Sequence, residues 1–109
     1  MLELIGENVV KVSIVIPVYN EEQHIEACLE SILAQDYEGE MEIILIDGGS
    51  TDRTRDIIAR YIAMYDNIRL LDNSKQIAPS AMNIGIQNAD GGLIIIIGAH
   101  ADYTADYVS

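Results

Sequence analysis

A chain of 109 residues, half of them apolar, is sized for one packed domain and is short for a complete two-substrate enzyme. Eighteen acidic against six basic residues give a net charge of −12, which argues against a nucleic-acid partner but permits a small anion held by backbone amides or a divalent cation. The single cysteine, Cys28, rules out an internal disulfide, and no apolar run reaches the roughly 20 residues of a membrane-spanning helix.

Residues 1–11 are weakly patterned and read as a lead-in segment, without the basic-then-apolar order of a signal peptide. Val12–Val18 is a β-branched run suited to a strand buried on both faces. From Glu22 to Leu33, Ile25, Cys28, Leu29, Ile32 and Leu33 recur at helical spacing, and the polar stretch from Gln35 to Gly39 ends that pattern. Met41–Ile46 is a second buried strand that runs into Asp47-Gly48-Gly49-Ser50-Thr51-Asp52, a sharp turn where backbone can approach a ligand. A second helix follows, with Ser50 or Thr51 as N-cap, Asp52 in the first turn, and Ile57, Ile58, Tyr61, Ile62 and Tyr65 as its apolar stripe. Ile68–Leu71 is a short third strand. A helix from about Pro79 to Asn88 is expected to carry Met82 and Ile86 inward, and Asp90-Gly91-Gly92 turns the chain into a fourth strand, Leu93–Ile97.

Strands alternating with helices predict an α/β three-layer sandwich with a mostly parallel sheet, a Rossmann-like arrangement. Ligands in such sheets sit at the carboxyl ends of the strands, near the point where strand order reverses. Those ends carry Tyr19-Asn20-Glu21, Asp47-Gly48-Gly49 and Gly98-Ala99-His100, and the loop after the third strand carries Lys75. No G-x-G-x-x-G follows the first strand and no Walker A motif occurs, which removes the main support for dinucleotide and P-loop readings. No Cys/His cluster has structural zinc spacing. A phospho-acceptor receiver domain shares the layout but needs an acidic pair just after the first strand, where Pro17-Val18-Tyr19-Asn20 stands.

Each candidate residue has a plainer alternative. Asp47 either accepts a hydrogen bond from the N3–H of a uracil ring or caps its own turn. Asp52 reads first as a helix-start acid, and Lys75 as a solvated loop cation or a partner for a diphosphate. His100 is a metal ligand or a surface residue. Cys28 is a small core residue and His24 a helix-surface or N-terminal-turn residue; neither is given a role.

Taken together, Val12–Glu22, Ile46–Thr54, Asn73–Ile86 and Ala89–Gly92 resemble family-two glycosyltransferases, in register across residues 12 to 108. Bacterial exopolysaccharide transferases of the succinoglycan type, whose metal motif reads Asp-Ala-His, are the most similar subgroup. The resemblance implies a nucleotide-diphospho-sugar donor, UDP-sugar above all, bound by the N-terminal half of an A-type, inverting glycosyltransferase. By position, Pro17, Tyr19 and Glu21 would line the nucleoside pocket and Asp47 would read the base. Lys75 and Asn83 would flank ribose and diphosphate, and His100 would close the metal motif for Mn²⁺ or Mg²⁺.

Two departures qualify this expectation. Gly98 stands where the motif has its first aspartate, which weakens the cation site unless Asp102 compensates, and Gly48 replaces the second aspartate after the second strand. The family's catalytic base belongs to a following, acceptor-binding half, so residues 12–109 are expected to form a donor-binding half-domain that binds without efficient transfer. The competing expectation is a non-catalytic nucleotide-binding or interaction module. The implied setting is polysaccharide or cell-envelope glycan synthesis in the cytoplasm, with any attachment to the inner face of a membrane supplied by the parent protein. The last strand is expected to lie at an unprotected sheet edge and to invite a dimer or aggregation.

Overall fold

The computed structural model describes residues 11–73 and 78–99. The chain order is β1 (Val12–Val18), α1 (Ile25–Leu33), β2 (Met41–Asp47), α2 (Thr54–Met64), β3 (Ile68–Asp72), α3 (Ala78–Asn88) and β4 (Leu93–Ile96). All pairings are parallel, and the strands lie side by side in the order β3-β2-β1-β4. No helix among the described residues is long and apolar enough to cross a membrane.

This order fixes the layers. The steps β1 to β2 and β2 to β3 move in one direction across the sheet, and β3 to β4 moves back past β2 and β1. With crossovers of one hand, the returning helix must lie on the opposite face. Accordingly, Val12, Ile14, Ile16, Val18, Ile43 and Leu45 pack with Ile25, Cys28, Leu29, Ile32, Ile57, Ile58 and Tyr61 of α1 and α2. Val15, Ile44 and Ile46 point the other way, to Ala81 of α3. The reversal of strand order falls between β1 and β4.

Three local expectations need correction. Met82 and Ile86 do not face the sheet; they are 38% and 47% exposed, and Ala81 and Gly85 are buried in their place. A Cβ on Gly85 would sit 2.3 Å from Val15 Cγ1, so α3 approaches β1 too closely for large side chains. Ile62 and Tyr65 likewise sit at the exposed margin of α2 rather than in its buried stripe. Both first helices also begin two or three residues later than their patterns suggest, at Ile25 and Thr54, because the polar residues before them bond across to a neighbouring loop.

At the amino end of the sheet, two buried polar residues anchor the turn from α3 to β4. Ser13 Oγ donates to Glu42 Oε2 at 2.5 Å and accepts from Gly91 N–H at 2.8 Å, and Glu42 Oε2 also accepts from Asp90 N–H. Burial pushes the Glu42 carboxyl up, but these hydrogen bonds, with Lys11 and Arg69 nearby, outweigh it and hold the group below the ordinary carboxylate range. The Asp90-Gly91-Gly92 turn is thus packed against the sheet at the end remote from the strand tips. β4 pairs only with β1 among the described residues, and its Leu93, Ile94 and Ile96 are 49%, 36% and 39% exposed.

Candidate functional site

The carboxyl ends of β1 and β2 lead into two loops that hold each other. Asn20 adopts a left-handed φ of 50° and Gly49 a φ of 98°, so both chains turn sharply just past their strands. Asn20 then bonds the second loop twice: its N–H donates to Ser50 Oγ at 2.9 Å, and its Oδ1 accepts from Thr51 N–H at 2.8 Å. Glu22 repeats the exchange, with its N–H donating to Asp52 Oδ2 at 3.2 Å and its Oε1 accepting from Arg53 N–H at 3.0 Å. Between them, buried Thr54 Oγ1 accepts from Glu21 N–H at 2.8 Å and donates to Asp52 Oδ1. Asp52 Oδ1 also accepts from Thr54 N–H at 2.9 Å, a bond to the first residue of α2 made from just before the N-cap position, Arg53. These hydrogen bonds overcome the desolvation acting on the Asp52 carboxyl and hold it below its ordinary value.

Asp47 ends β2 with its side chain fully buried. Its Oδ2 accepts from Gly49 N–H and Ser50 N–H, each at 3.0 Å, and from Arg55 Nη1 at 2.8 Å; Oδ1 accepts from Ser50 Oγ. Burial pushes this carboxyl up, but the bonds from Ser50, Arg55 and Gly49 win and hold it ionised below the ordinary aspartate value. Arg55, 43% exposed, also lies 2.7 Å from Asp72 Oδ1 at the tip of β3. Asp47 therefore has the turn-capping geometry, at the strand tips where a ligand would approach.

The other predicted residues are distributed around these tips. Tyr19 is 54% exposed just past β1, and Pro17 is half-buried in β1 opposite Ile46. Glu21 is half-buried beneath the interlocked loops, and Asn83 lies exposed on α3, on the other face of the sheet. Lys75, His100 and Asp102 lie outside the described residues. Gly98, at the end of β4, brings no side-chain ligand for a cation, and the described residues contain no group of three metal-ligating side chains.

A shallow cleft of about 490 Å³ opens between the two loops, lined by Asn20, Glu21, Glu22, Gln23, His24 and Asp52. It lies beside Asp47 rather than at it, and its carboxylates would repel a diphosphate. Arg55 and Thr54 were missed from sequence because each acts through a partner on a distant segment. The only available signal was a basic residue in a helix first turn, where acids are preferred, next to acidic strand ends.

The family model for Glycosyl transferase family 2 matches residues 13–109. A dolichyl N-acetyl-alpha-D-glucosaminyl phosphate 3-beta-D-2,3-diacetamido-2,3-dideoxy-beta-D-glucuronosyltransferase from Methanococcus voltae is 43% identical over 100 residues, which cover 89% of this chain and 31% of the relative. Succinoglycan biosynthesis protein ExoA from Rhizobium meliloti is 38% identical over 96 residues, covering 86% of this chain and 29% of that protein. Among solved structures, mannosyltransferase PcManGT from Pyrobaculum calidifontis, in complex with GDP-Man and Mn²⁺, superposes with a TM-score of 0.80 at 28% identity, covering 86% of this chain and 28% of that one. The chain thus spans less than a third of the length of each of these proteins.

Proposed function

This chain belongs to glycosyl transferase family 2, and we propose that it forms the donor-binding part of an inverting transferase that uses a nucleotide-diphospho-sugar, with UDP as the nucleotide. The observation that carries this reading is the meeting of Tyr19 and Asp47 at adjacent strand tips, beside the reversal of strand order, on two loops locked together by side chains. The exposed Tyr19 ring offers a face for a base, and Pro17 and Glu21 stiffen the wall behind it. Asp47, held as a carboxylate, accepts the N3–H of uracil. Asn83 and Lys75 flank the ribose and diphosphate.

A divalent cation would be held by His100 and Asp102 and would take up charge on the leaving diphosphate. Gly98 subtracts a ligand from that set, so the cation would be held weakly. The chain's own contribution is to orient the donor so that an acceptor hydroxyl can displace the nucleotide in line, inverting the anomeric carbon. No residue of the chain is assigned as the base for that hydroxyl, so donor binding without efficient transfer is the expected behaviour. The cytoplasm, where such donors are accessible, is the proposed site of action.

Titration with UDP and Mn²⁺, followed by backbone NMR, tests the reading. Shifts concentrated at Tyr19, Asp47 and His100 support it, and no shift at millimolar UDP refutes it. Gly98 favours a second reading, a nucleotide-binding module without catalysis. Sugar transfer by the parent protein that is lost on Asp47→Ala refutes that alternative.

A further inference from the structure

The sequence contains two aspartate–glycine pairs, Asp47-Gly48 and Asp90-Gly91. Such a pair can rearrange without an enzyme or an oxidant. The glycine nitrogen loses its proton and attacks the aspartate Cγ; a C–N bond forms, water leaves, and a five-membered succinimide closes. Water then adds back and breaks one of the two C–N bonds of the ring. Opening at Cγ restores aspartate. Opening at the main-chain carbonyl gives isoaspartate, in which the backbone runs through Cβ and Cγ and the α-carboxylate becomes the side group. Glycine favours the reaction because no Cβ crowds the attacking nitrogen.

On exposure alone Asp90 is the reactive member, since its side chain is 79% exposed while that of Asp47 is fully buried. The surroundings of Asp90 nevertheless oppose the reaction. The three N–H groups of its turn are all spent on the sheet: Asp90 N–H on Glu42 Oε2 at 2.6 Å, Gly91 N–H on Ser13 Oγ at 2.8 Å, and Gly92 N–H on Lys11 O at 2.8 Å. Ser13 is fully buried and is itself held by Glu42. The nitrogen that would attack is thus pinned to a fixed acceptor, and Asp90 Oδ2 is engaged by Lys11 Nζ at 3.1 Å. The product fits no better. A Cβ on Gly91 would meet Lys11 O and Ser13 Oγ at 2.7 Å and Ser13 N at 2.8 Å, so a main chain lengthened by one carbon has no room there.

We infer that Asp90-Gly91 is a latent isoaspartate site, kept from reacting by the hydrogen bond from Gly91 N–H to Ser13. Release of that bond frees the nitrogen, and the isomer cannot return to its seat, so β4 loses the turn that fixes its start beside β1. This holds whether or not the strand tips bind a donor. Asp47-Gly48 is closed by other means: Gly48 N–H donates to Val18 O at 2.9 Å, and the Asp47 carboxylate is bonded to Gly49, Ser50 and Arg55. It serves as a reference site in the same chain that Ser13 does not touch.

Ageing at neutral pH, then trypsin digestion and labelling with isoaspartyl methyltransferase, tests this. Cleavage after Lys11, Arg53 and Lys75 puts the two sites in separate peptides, 12–53 and 76–109, and fragmentation of the second locates the label at Asp90. The native chain is compared with S13A and with S13C, which keeps the side-chain volume and weakens the acceptor. Circular dichroism identifies the folded variants, and native chain unfolded in guanidinium gives the intrinsic rate at each site. Asp90-Gly91 should isomerise about tenfold more slowly in the folded native chain than in the unfolded one. In S13A it should speed up about three- to tenfold while Asp47-Gly48 keeps its native rate, with S13C in between. A native rate at Asp90-Gly91 equal to that of the unfolded chain overturns the protection. Equal acceleration at both sites marks general unfolding and overturns the local hold, as does a folded S13A or S13C that ages at the native rate. If S13A does not fold, S13C decides.

Discussion

Substitution of Gly85 by alanine gives the sharpest test of how α3 is seated. An added Cβ would lie 2.3 Å from Val15 Cγ1, 2.9 Å from Cγ2 and 3.2 Å from Cβ, where carbon atoms normally rest about 3.5–4.0 Å apart. Val15 is fully buried at the centre of β1, paired on one side with Ile44 and on the other with Ile96, and its β-branched side chain has little freedom at χ1. The helix must therefore move out by roughly an ångström or Val15 must leave its rotamer, an overpacking cost of about 3 kcal/mol at the upper end of the usual range. Alanine returns about 1 kcal/mol through helix propensity, so G85A should destabilise by roughly 2 kcal/mol. In a chain of this size that lowers the melting temperature by about 8 °C. Urea denaturation of G85A, V15A and the double variant measures it. V15A alone opens a cavity, which the new methyl fills, so G85A in the V15A background should be stabilising, with a coupling above about 1 kcal/mol. Stability of G85A at or above the native value, or strict additivity in the cycle, would refute the close approach.

Asn20 should tolerate glycine better than alanine. N20G loses the bond to Thr51 N–H, about 1 kcal/mol, whereas N20A adds the strain of a positive φ and should cost about 1–2 kcal/mol more, read from urea midpoints. Stability should fall in acid. The folded-state values of Asp47 and Glu42 lie below their ordinary 3.8 and 4.5, so their contributions are complete above those values and vanish as pH falls through the lower folded ones. A urea midpoint that stays level from about pH 5 down to about pH 2 would contradict this. S13A removes the bridge between Glu42 and Gly91 and should cost about 1–3 kcal/mol, measured the same way. The exposed edge of β4 predicts self-association at high concentration, and a single monomeric species by sedimentation would contradict it.

The strands were legible because runs such as Val12–Val18 and Met41–Asp47 are buried on both faces, and such burial leaves an unbroken apolar string. The facing of α3 was not. Hydrophobic patterning selects the largest apolar residues as the inward ones, but a helix pressed against a sheet selects the smallest. Met82 and Ile86 therefore misled, while Ala81 and Gly85 carried the contact. Helix starts were misread for a related reason. Ser50, Thr51 and Asp52 all have the chemistry of caps, and spacing alone cannot tell that Ser50 is engaged by Asp47 and Asn20. Arg55 was invisible for the same cause, since its partners stand 8 and 17 positions away on two strands.

In Tyr19-Asn20-Glu21-Glu22 and Asp47–Thr54, almost every polar group answers one in the other segment: Asn20 to Ser50 and Thr51, Glu21 to Thr54, Glu22 to Asp52 and Arg53. A change at one position orphans a partner some thirty residues away, so the two motifs constrain each other through loop geometry before any ligand is considered. The family signature thus specifies the geometry of two interlocked loops before it specifies any ligand. On the proposed reading of these loops as the wall of a donor site, selectivity among donors falls to side chains that the interlock leaves at the surface of the strand tips. Tyr19, Arg55 and Asp72 are among the described residues exposed there, and none of them takes part in the exchange between the loops. Relatives that share both motifs should accordingly share this loop geometry and, on the same reading, differ in donor preference with the residues at those exposed positions.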